Sequence, residues 1–264
     1  MLLKIHHATR YRYDAPLAYA LQRARVVPMS GPTQKVRSWK LDIEGAREEV
    51  RFVDHFGNDT RLLSVEADTH DIRIIAEGEV ETLDVHGIYG MQYGFAPLWL
   101  FSRQTELTYP GEGIASLCEQ LPDAGELDRL HALIGLIRER IEYKTGTTEV
   151  TTTAEDAIAH GQGVCQDHAH VFIAATRRLG LPARYISGYL MMEGVEDQVA
   201  THAWAEAHVE GLGWVGFDVS NGISPDEKYV RLAVGLDYRD AMPVSGIRTG
   251  QAAEELAVHI SVQQ

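Results

Sequence analysis

From the first residues of the chain, hydrophobic and polar positions alternate with the period of a half-buried strand. Leu3, Ile5, His7, Thr9, Tyr11 and Tyr13 share one face of this predicted strand. Residues 36–43, 61–66 and 71–82 read as further strands. Asp54-His55-Phe56-Gly57-Asn58-Asp59 supplies a turn between two of them, because Gly and Asn tolerate positive φ. Together these segments predict a mainly antiparallel β domain over residues 1–85. Arg10, Arg12, Arg23 and Arg25 fall within it and read as a solvated sheet face.

Beyond residue 85 the pattern changes. Residues 86–122 mix glycines and aromatics, His86 to Phe95 above all, with Pro97, Pro110 and Pro122, and predict packed loops at the junction of two halves. Their aromatics read first as core and secondly as cleft lining. Asp123-Ala124-Gly125-Glu126 resembles a capping box opening a helix with Leu127, Leu130, Ile134, Ile137 and Ile141 on one stripe. Thr153-Ala154-Glu155-Asp156 caps a short helix that Gly161 ends. A third helix carries Ala169, Phe172, Ile173, Thr176 and Leu179, and is stopped by Gly180 and Pro182. Strands follow at residues 184–192, 203–209 and 214–219, with a last one near 256–262.

The third helix starts with the densest chemistry. Cys165 follows Gly161-Gln162-Gly163 and occupies the first helical turn, where backbone N–H groups and the helix dipole lower a thiol pKa. Taken alone, a cysteine reads as a small buried hydrophobe. The downstream hairpin changes that balance. Ala203, Ala205, Ala207 and Val209 alternate with His202, Trp204, Glu206 and His208, and Val215, Phe217 and Val219 alternate with Trp214, Gly216 and Asp218. A turn near Glu210-Gly211 sets His202 opposite Asp218 on one face, with Cβ atoms ~5 Å apart. A one-residue slip would place them on opposite faces. Asp218 would then orient the imidazole of His202, which takes the proton of Cys165 and returns one to a leaving amine. Cys118 has neither feature and reads as structural.

Other polar groups have simpler readings. Asp167, His168 and His170 flank Cys165, but helical i and i+2 side chains do not face each other, so the two histidines make a poor metal site. His202, Glu206, His208 and Asp218 form an alternative zinc set, without an HExxH or CxxC pattern to support it. Gln162 and Gln166 read as oxyanion donors or as solvent-facing residues. Trp204 and Trp214 read as core before they read as channel walls.

Composition narrows the class. The 264 residues include 45% hydrophobic and 23% charged residues, which is ordinary for a globular protein. A formal net charge of −14 argues against nucleic acid as the partner. The start of the chain lacks a signal-peptide pattern, and nowhere do about 18 apolar residues run consecutively. Two cysteines do not make a disulfide scaffold, so a reducing, cytoplasmic setting is expected. Phosphate-binding and dinucleotide-binding glycine patterns are absent, so no nucleotide cofactor is expected, and without an HExxH or CxxC pattern no metal is expected either.

Gly163-Val164-Cys165-Gln166-Asp167-His168-Ala169-His170, the strand Arg184-Tyr185-Ile186-Ser187-Gly188-Tyr189-Leu190, His202-Ala203-Trp204 and Trp214-Val215-Gly216-Phe217-Asp218 resemble the bacterial transglutaminase-like superfamily. Members of that family are commonly described as cysteine proteases. The N-terminal part, including the Phe56-Gly57-Asn58 turn, resembles the β module that precedes the family's core. Val219-Ser220-Asn221 stands where Pro-Thr-Asn is expected, and His168 where an aromatic is commoner. The resemblance implies an α+β fold, with a papain-like core at residues 86–264 behind the β domain. It also implies a nucleophile at Cys165, a base at His202 and an orienting carboxylate at Asp218. The expected reaction is thioester formation on a peptide or protein carboxamide, followed by hydrolysis. Amine transfer, as in a transglutaminase, and a non-catalytic peptide-binding role are the alternatives.

Overall fold

A computed structural model describes the chain apart from Ala18, Glu66, Ala67, Gln92, Tyr93, Gly94, Glu196 and Gln251. The strand end expected at Glu66 and the loop expected at Gln92, Tyr93 and Gly94 therefore lie outside the described residues. Six strands come first: β1 (Leu2–Tyr13), β2 (Tyr19–Val27), β3 (Gln34–Glu44), β4 (Ala46–Val53), β5 (Asp59–Val65) and β6 (Asp71–Thr82). Then come β7 (Ile88–Gly90), a 3-10 turn (Leu98–Ser102), α1 (Glu112–Glu119), α2 (Glu126–Arg140), β8 (Glu142–Tyr143), α3 (Ala154–His160) and β9 (Gln162–Gly163). The cysteine helix α4 (Cys165–Arg178) leads into β10 (Ala183–Leu190), β11 (Asp197–Gln198), β12 (His202–Val209) and β13 (Gly213–Phe217). The chain closes with β14 (Tyr229–Gly235), α5 (Tyr238–Ala241), β15 (Val244–Thr249) and β16 (Glu254–Gln263).

The alternation that opens the sequence is the alternation of β1. Leu3, Ile5, His7, Thr9, Tyr11 and Tyr13 are all buried. They form the inner face of a five-stranded sheet in the order β11-β16-β1-β6-β3. One end of this face packs on a second sheet, β15-β2-β5-β4, through Tyr11, Tyr13, Leu63, Ile72 and Ile74. Its other end, with Leu3, Ile5 and Val80, packs on Val230 and Leu232 of β14. One sheet thus serves two cores.

The expected domain division misses part of this arrangement. β16 pairs with β1 along almost its whole length, and β15 pairs with β2. The β domain is therefore completed by residues 244–263 and is not made by residues 1–85 alone. The physical reason is that β1 has two edges. With β6 on one of them, the other needs a strand that the N-terminal segment does not supply. Arg25 is a second correction: it is buried rather than on a solvated face, and its Nε donates to Asp54 Oδ2 at 3.1 Å.

In the other half an antiparallel sheet, β14-β10-β12-β13-β7, carries α4 across β12 and β10. The core between them includes Phe172, Ala175, Ala205, Ala207, Val215 and Phe217. The capping box of α3 forms as predicted, with Asp156 N–H donating to Thr153 Oγ1 at 3.2 Å, and Gly161 ends the helix at φ 67°. The one predicted for α2 does not form. Gly125 is the N-cap, and Glu126 accepts the backbone N–H of Glu210 at 3.1 Å instead.

The two halves meet along the outer edge of β14. Asn58 Nδ2 donates to Val234 O, and Val234 N–H donates to Asn58 Oδ1, both at 2.8 Å. Gln34 repeats the arrangement at Arg231, with bonds of 2.8 and 2.7 Å. Two carboxamides thus stand in for a neighbouring strand and satisfy an edge that would otherwise be open.

Candidate active site

The start of α4 is shaped by small residues and one buried carboxylate. Gly163 has no room for a side chain, since a Cβ there would sit 2.8 Å from the Asp167 Cβ. Asp167 Oδ2 accepts the Val164 N–H at 2.8 Å and the Thr148 hydroxyl at 2.6 Å. Burial pushes the Asp167 carboxyl up, while these bonds oppose that shift. Cys165 follows as the first helical residue, partly exposed at the wall of a cleft of about 540 Å³.

The hairpin delivers the other two residues with a changed register. Ala205 pairs with Phe217 and Glu206 with Gly216, a shift of two residues from the expected pairing. An even shift preserves the face, so His202 and Asp218 still meet, now diagonally. His202 Nε2 and Asp218 Oδ2 are 2.6 Å apart. That leaves Nδ1 as the ring nitrogen available to Cys165. Burial disfavours the imidazolium, but hydrogen bonds to Asp218 and Cys165 and the charges of both outweigh it, raising His202 to about 10. Trp204 stacks near the ring at 6.2 Å between centroids, and Tyr229 lies at 6.0 Å.

Asp218 is fully buried and surrounded by donors. Oδ2 also accepts from Asn221 Nδ2 and from the Tyr229 hydroxyl, each at 2.7 Å. Oδ1 accepts from Ser220 Oγ at 2.8 Å and from the Asn221 N–H at 3.2 Å. Burial raises the carboxyl, but His202, Tyr229 and Asn221 together overcome this and hold it at about 2. The Asp218-Val219-Ser220-Asn221-Gly222 stretch is an Asx-type turn, a signal present in the sequence. No local signal pointed to Tyr229, which arrives from β14.

The remaining predicted candidates have other occupations. Glu206 lies between Arg184 Nε at 2.6 Å and Arg231 Nε at 2.8 Å. His208 sits edge-on to Trp214, with ring centroids 5.5 Å apart. The alternative zinc set therefore does not converge, and the described residues hold no cluster of metal-ligating side chains. Gln162 turns to Glu142 and Gln166 to the Val150 carbonyl, so neither amide is aimed at the sulfur. Trp204 and Trp214 are core residues. Both ring nitrogens of His168 face carbonyl oxygens, of Val164 at 2.9 Å and Ile141 at 3.1 Å. His170 accepts the Tyr238 N–H at 3.1 Å. Cys118 is held against the Ala175 carbonyl, and burial raises its thiol.

A cysteine at a helix start, facing a histidine and an aspartate on an antiparallel hairpin, defines a transglutaminase-like core. Residues 115–219 match the Transglutaminase-like superfamily, residues 3–81 match the Bacterial transglutaminase-like N-terminal region, and the chain belongs to this superfamily. It is 27% identical over 274 residues to an uncharacterized protein of Mycobacterium leprae, covering 98% of both chains. It is also 27% identical to an uncharacterized protein of Mycobacterium tuberculosis, over 92% of this chain and 86% of that one. The fold is similar to that of a "Putative Cysteine Protease" from Cytophaga hutchinsonii, with a TM-score of 0.77 and 22% identity over 100% of this chain and 98% of the other.

Proposed function

We propose that the protein is a cysteine-dependent acyl-transfer enzyme acting on peptide or glutamine carboxamide bonds, with water as the usual acceptor. One observation carries this reading: His202 is held by Asp218 on one ring nitrogen while Cys165 raises its proton affinity from the other side. The Cys165 sulfur, paired with the protonated imidazole, attacks the carbonyl carbon. The tetrahedral intermediate collapses as His202 gives its proton to the departing amine, leaving a thioester. Water, deprotonated by the same imidazole, then releases the acid. Asp218 keeps Nε2 protonated, so Nδ1 serves the sulfur and the leaving group.

The choice of water over an amine rests on the cleft mouth. Tyr143 is 52% exposed and Val199 85% exposed, and both line the cleft that holds Cys165, so the cleft is open to solvent. A transglutaminase would have to exclude that water. The test is mass spectrometry of a peptide library incubated with and without an added amine. Cleaved or deamidated peptides are expected, with the activity lost in Cys165→Ala and in His202→Ala while both variants remain folded. Predominant amine adducts would reassign the acceptor. Turnover surviving Cys165→Ala would refute the thiol mechanism, and no product at all would favour a peptide-binding module.

A further inference from the structure

The inner face of the sheet that contains β1 has a polar middle. Along β1, Leu3 and Ile5 enter one core and Tyr11 and Tyr13 the other, with His7 and Thr9 between them. A cavity of about 110 Å³ lies over this stretch. Its walls come from both cores, since Val244 packs on one and Val258 on the other. On β16, Val258 is the register partner of Thr9, and Leu256 of Tyr11.

The two polar side chains at the base of the cavity already have partners. His7 Nε2 and Thr9 Oγ1 are 3.1 Å apart, and His7 Nδ1 meets the Tyr189 hydroxyl at 2.9 Å. Burial, followed by the charge of His6, holds His7 down to about 4, so its ring is neutral near pH 7. Among the described residues, no Asp, Glu, Lys or Arg lines the cavity. A neutral site whose hydrogen bonds are already made disfavours a polar guest, which would lose its water without replacement. Size narrows the guest further, because an apolar cavity of ~150 Å³ admits benzene. A cavity of about 110 Å³ fits a valine, leucine or isoleucine side chain and is too small for an indole.

Position ties this cavity to the catalytic cleft. Val199, Ala200, Thr201 and Tyr238 border both the cavity and the cleft that holds Cys165. Thr201 leads directly into His202, and Val199 stands largely exposed at the rim. An extended peptide rises ~3.3 Å per residue, so one lying in the cleft meets the shared wall within a few residues of the attacked carbonyl. We infer that the cavity is a specificity subsite, which takes a branched aliphatic side chain of the same substrate whose carbonyl Cys165 attacks. The inference rests on the acyl-transfer reading above and adds to it a substrate class: peptides with Val, Leu or Ile at one fixed position near the reacting residue. It also gives the β domain a part in selection, because β1, β15 and β16 all contribute walls.

The test compares peptides from the library that are identical but for Leu or Gly at that position, using the full chain. kcat/KM should favour Leu by about 10-fold or more. Val258→Phe fills the cavity and should reduce that ratio to less than about threefold, while alkylation of Cys165 by iodoacetamide stays unchanged. Leu256→Asp, at a half-exposed position that tolerates a charge, should reduce the ratio in the same way without enlarging a core side chain. A library with no aliphatic preference at any fixed position would overturn the inference, as would a ratio that survives both substitutions. Enrichment of the same library on immobilised Cys165→Ala, read by mass spectrometry, scores the subsite without turnover. Aliphatic enrichment there, lost when Val258→Phe is added, would keep the subsite even if the parent protein acylates nothing and the proposed function fails. Turnover without any aliphatic preference would refute the subsite alone.

Discussion

Replacing Asp218 by Asn tests how the proposed base is tuned. The change keeps the size of the side chain and removes its charge. Raising an imidazole from 6.5 to about 10 is worth roughly 4–5 kcal/mol, but Cys165 and Asp218 share that effect. The net shift of the Asp218 carboxyl, from 3.8 to about 2 against the opposing effect of burial, is roughly 2–3 kcal/mol and sets the scale of its coupling to His202. Loss of the carboxylate should therefore lower His202 by about two pH units. The measurement is kcat/KM against pH on a peptide substrate found in the library screen. The alkaline limb reports loss of the proton that His202 gives to the leaving amine, and should lie near pH 10 in the parent protein. In Asp218→Asn it should move toward neutrality. Activity at its maximum should also drop by about 10³–10⁴, because the amide no longer enforces the tautomer. An alkaline limb that stays in place would refute the argument that Asp218 raises His202.

The same pair makes stability depend on pH in a defined direction. His202 is raised on folding, so its contribution is complete below about pH 6.5 and lost toward pH 10; Asp218 is lowered, so its contribution is complete above about pH 4 and lost toward pH 2. Melting temperatures of the parent protein should fall beyond both limits, and His202→Ala should flatten both declines. Iodoacetamide should label Cys165 well before Cys118, whose thiol is raised by burial; equal rates by peptide mapping would count against an activated thiol. Gly188→Ala should destabilise the fold and depress activity together, because a Cβ there would lie 2.5 Å from the Trp204 ring and 2.2 Å from Val230 O. Asn58→Ala should cost about 2–4 kcal/mol in denaturant unfolding, since it strands both backbone groups of Val234. A cost below about 0.5 kcal/mol would show that the β14 edge is satisfied in another way.

Elements with one wet and one dry face, such as β1, were legible in the sequence, and so were β10, β12 and β13, although they are buried on both faces. β1 announces itself because every second residue is buried, and α3 because Thr153 and Asp156 can cap it without help. β4 has no such pattern, being exposed from Arg47 to Val53, and so left no trace. β14 is buried at nearly every position as well, and its short run was not read as a strand. Missing β14 also meant missing Tyr229, the donor it brings to Asp218. The site itself was readable because parity is robust. The hairpin register was off by two residues, yet His202 and Asp218 stayed on one face. Arg25 and Glu206 show the opposite limit, since their charges are matched by partners far away in sequence.

The pairing of β1 with β16 also has a consequence for how the protein is made. The first strand leaves the ribosome long before its partner, with the whole thiol-bearing half translated in between. Until β16 arrives, the edge of β1 that it will cover stands open, a template for wrong pairing with another chain. Contacts of such sequence separation form late and slowly. β11, which lines the cleft beside His202, hydrogen-bonds only to β16 within the five-stranded sheet. Apart from the Gln198 bond to the Leu190 carbonyl, that wall of the cleft waits for β16 to dock, so a half-made chain holds its cysteine without a finished site around it.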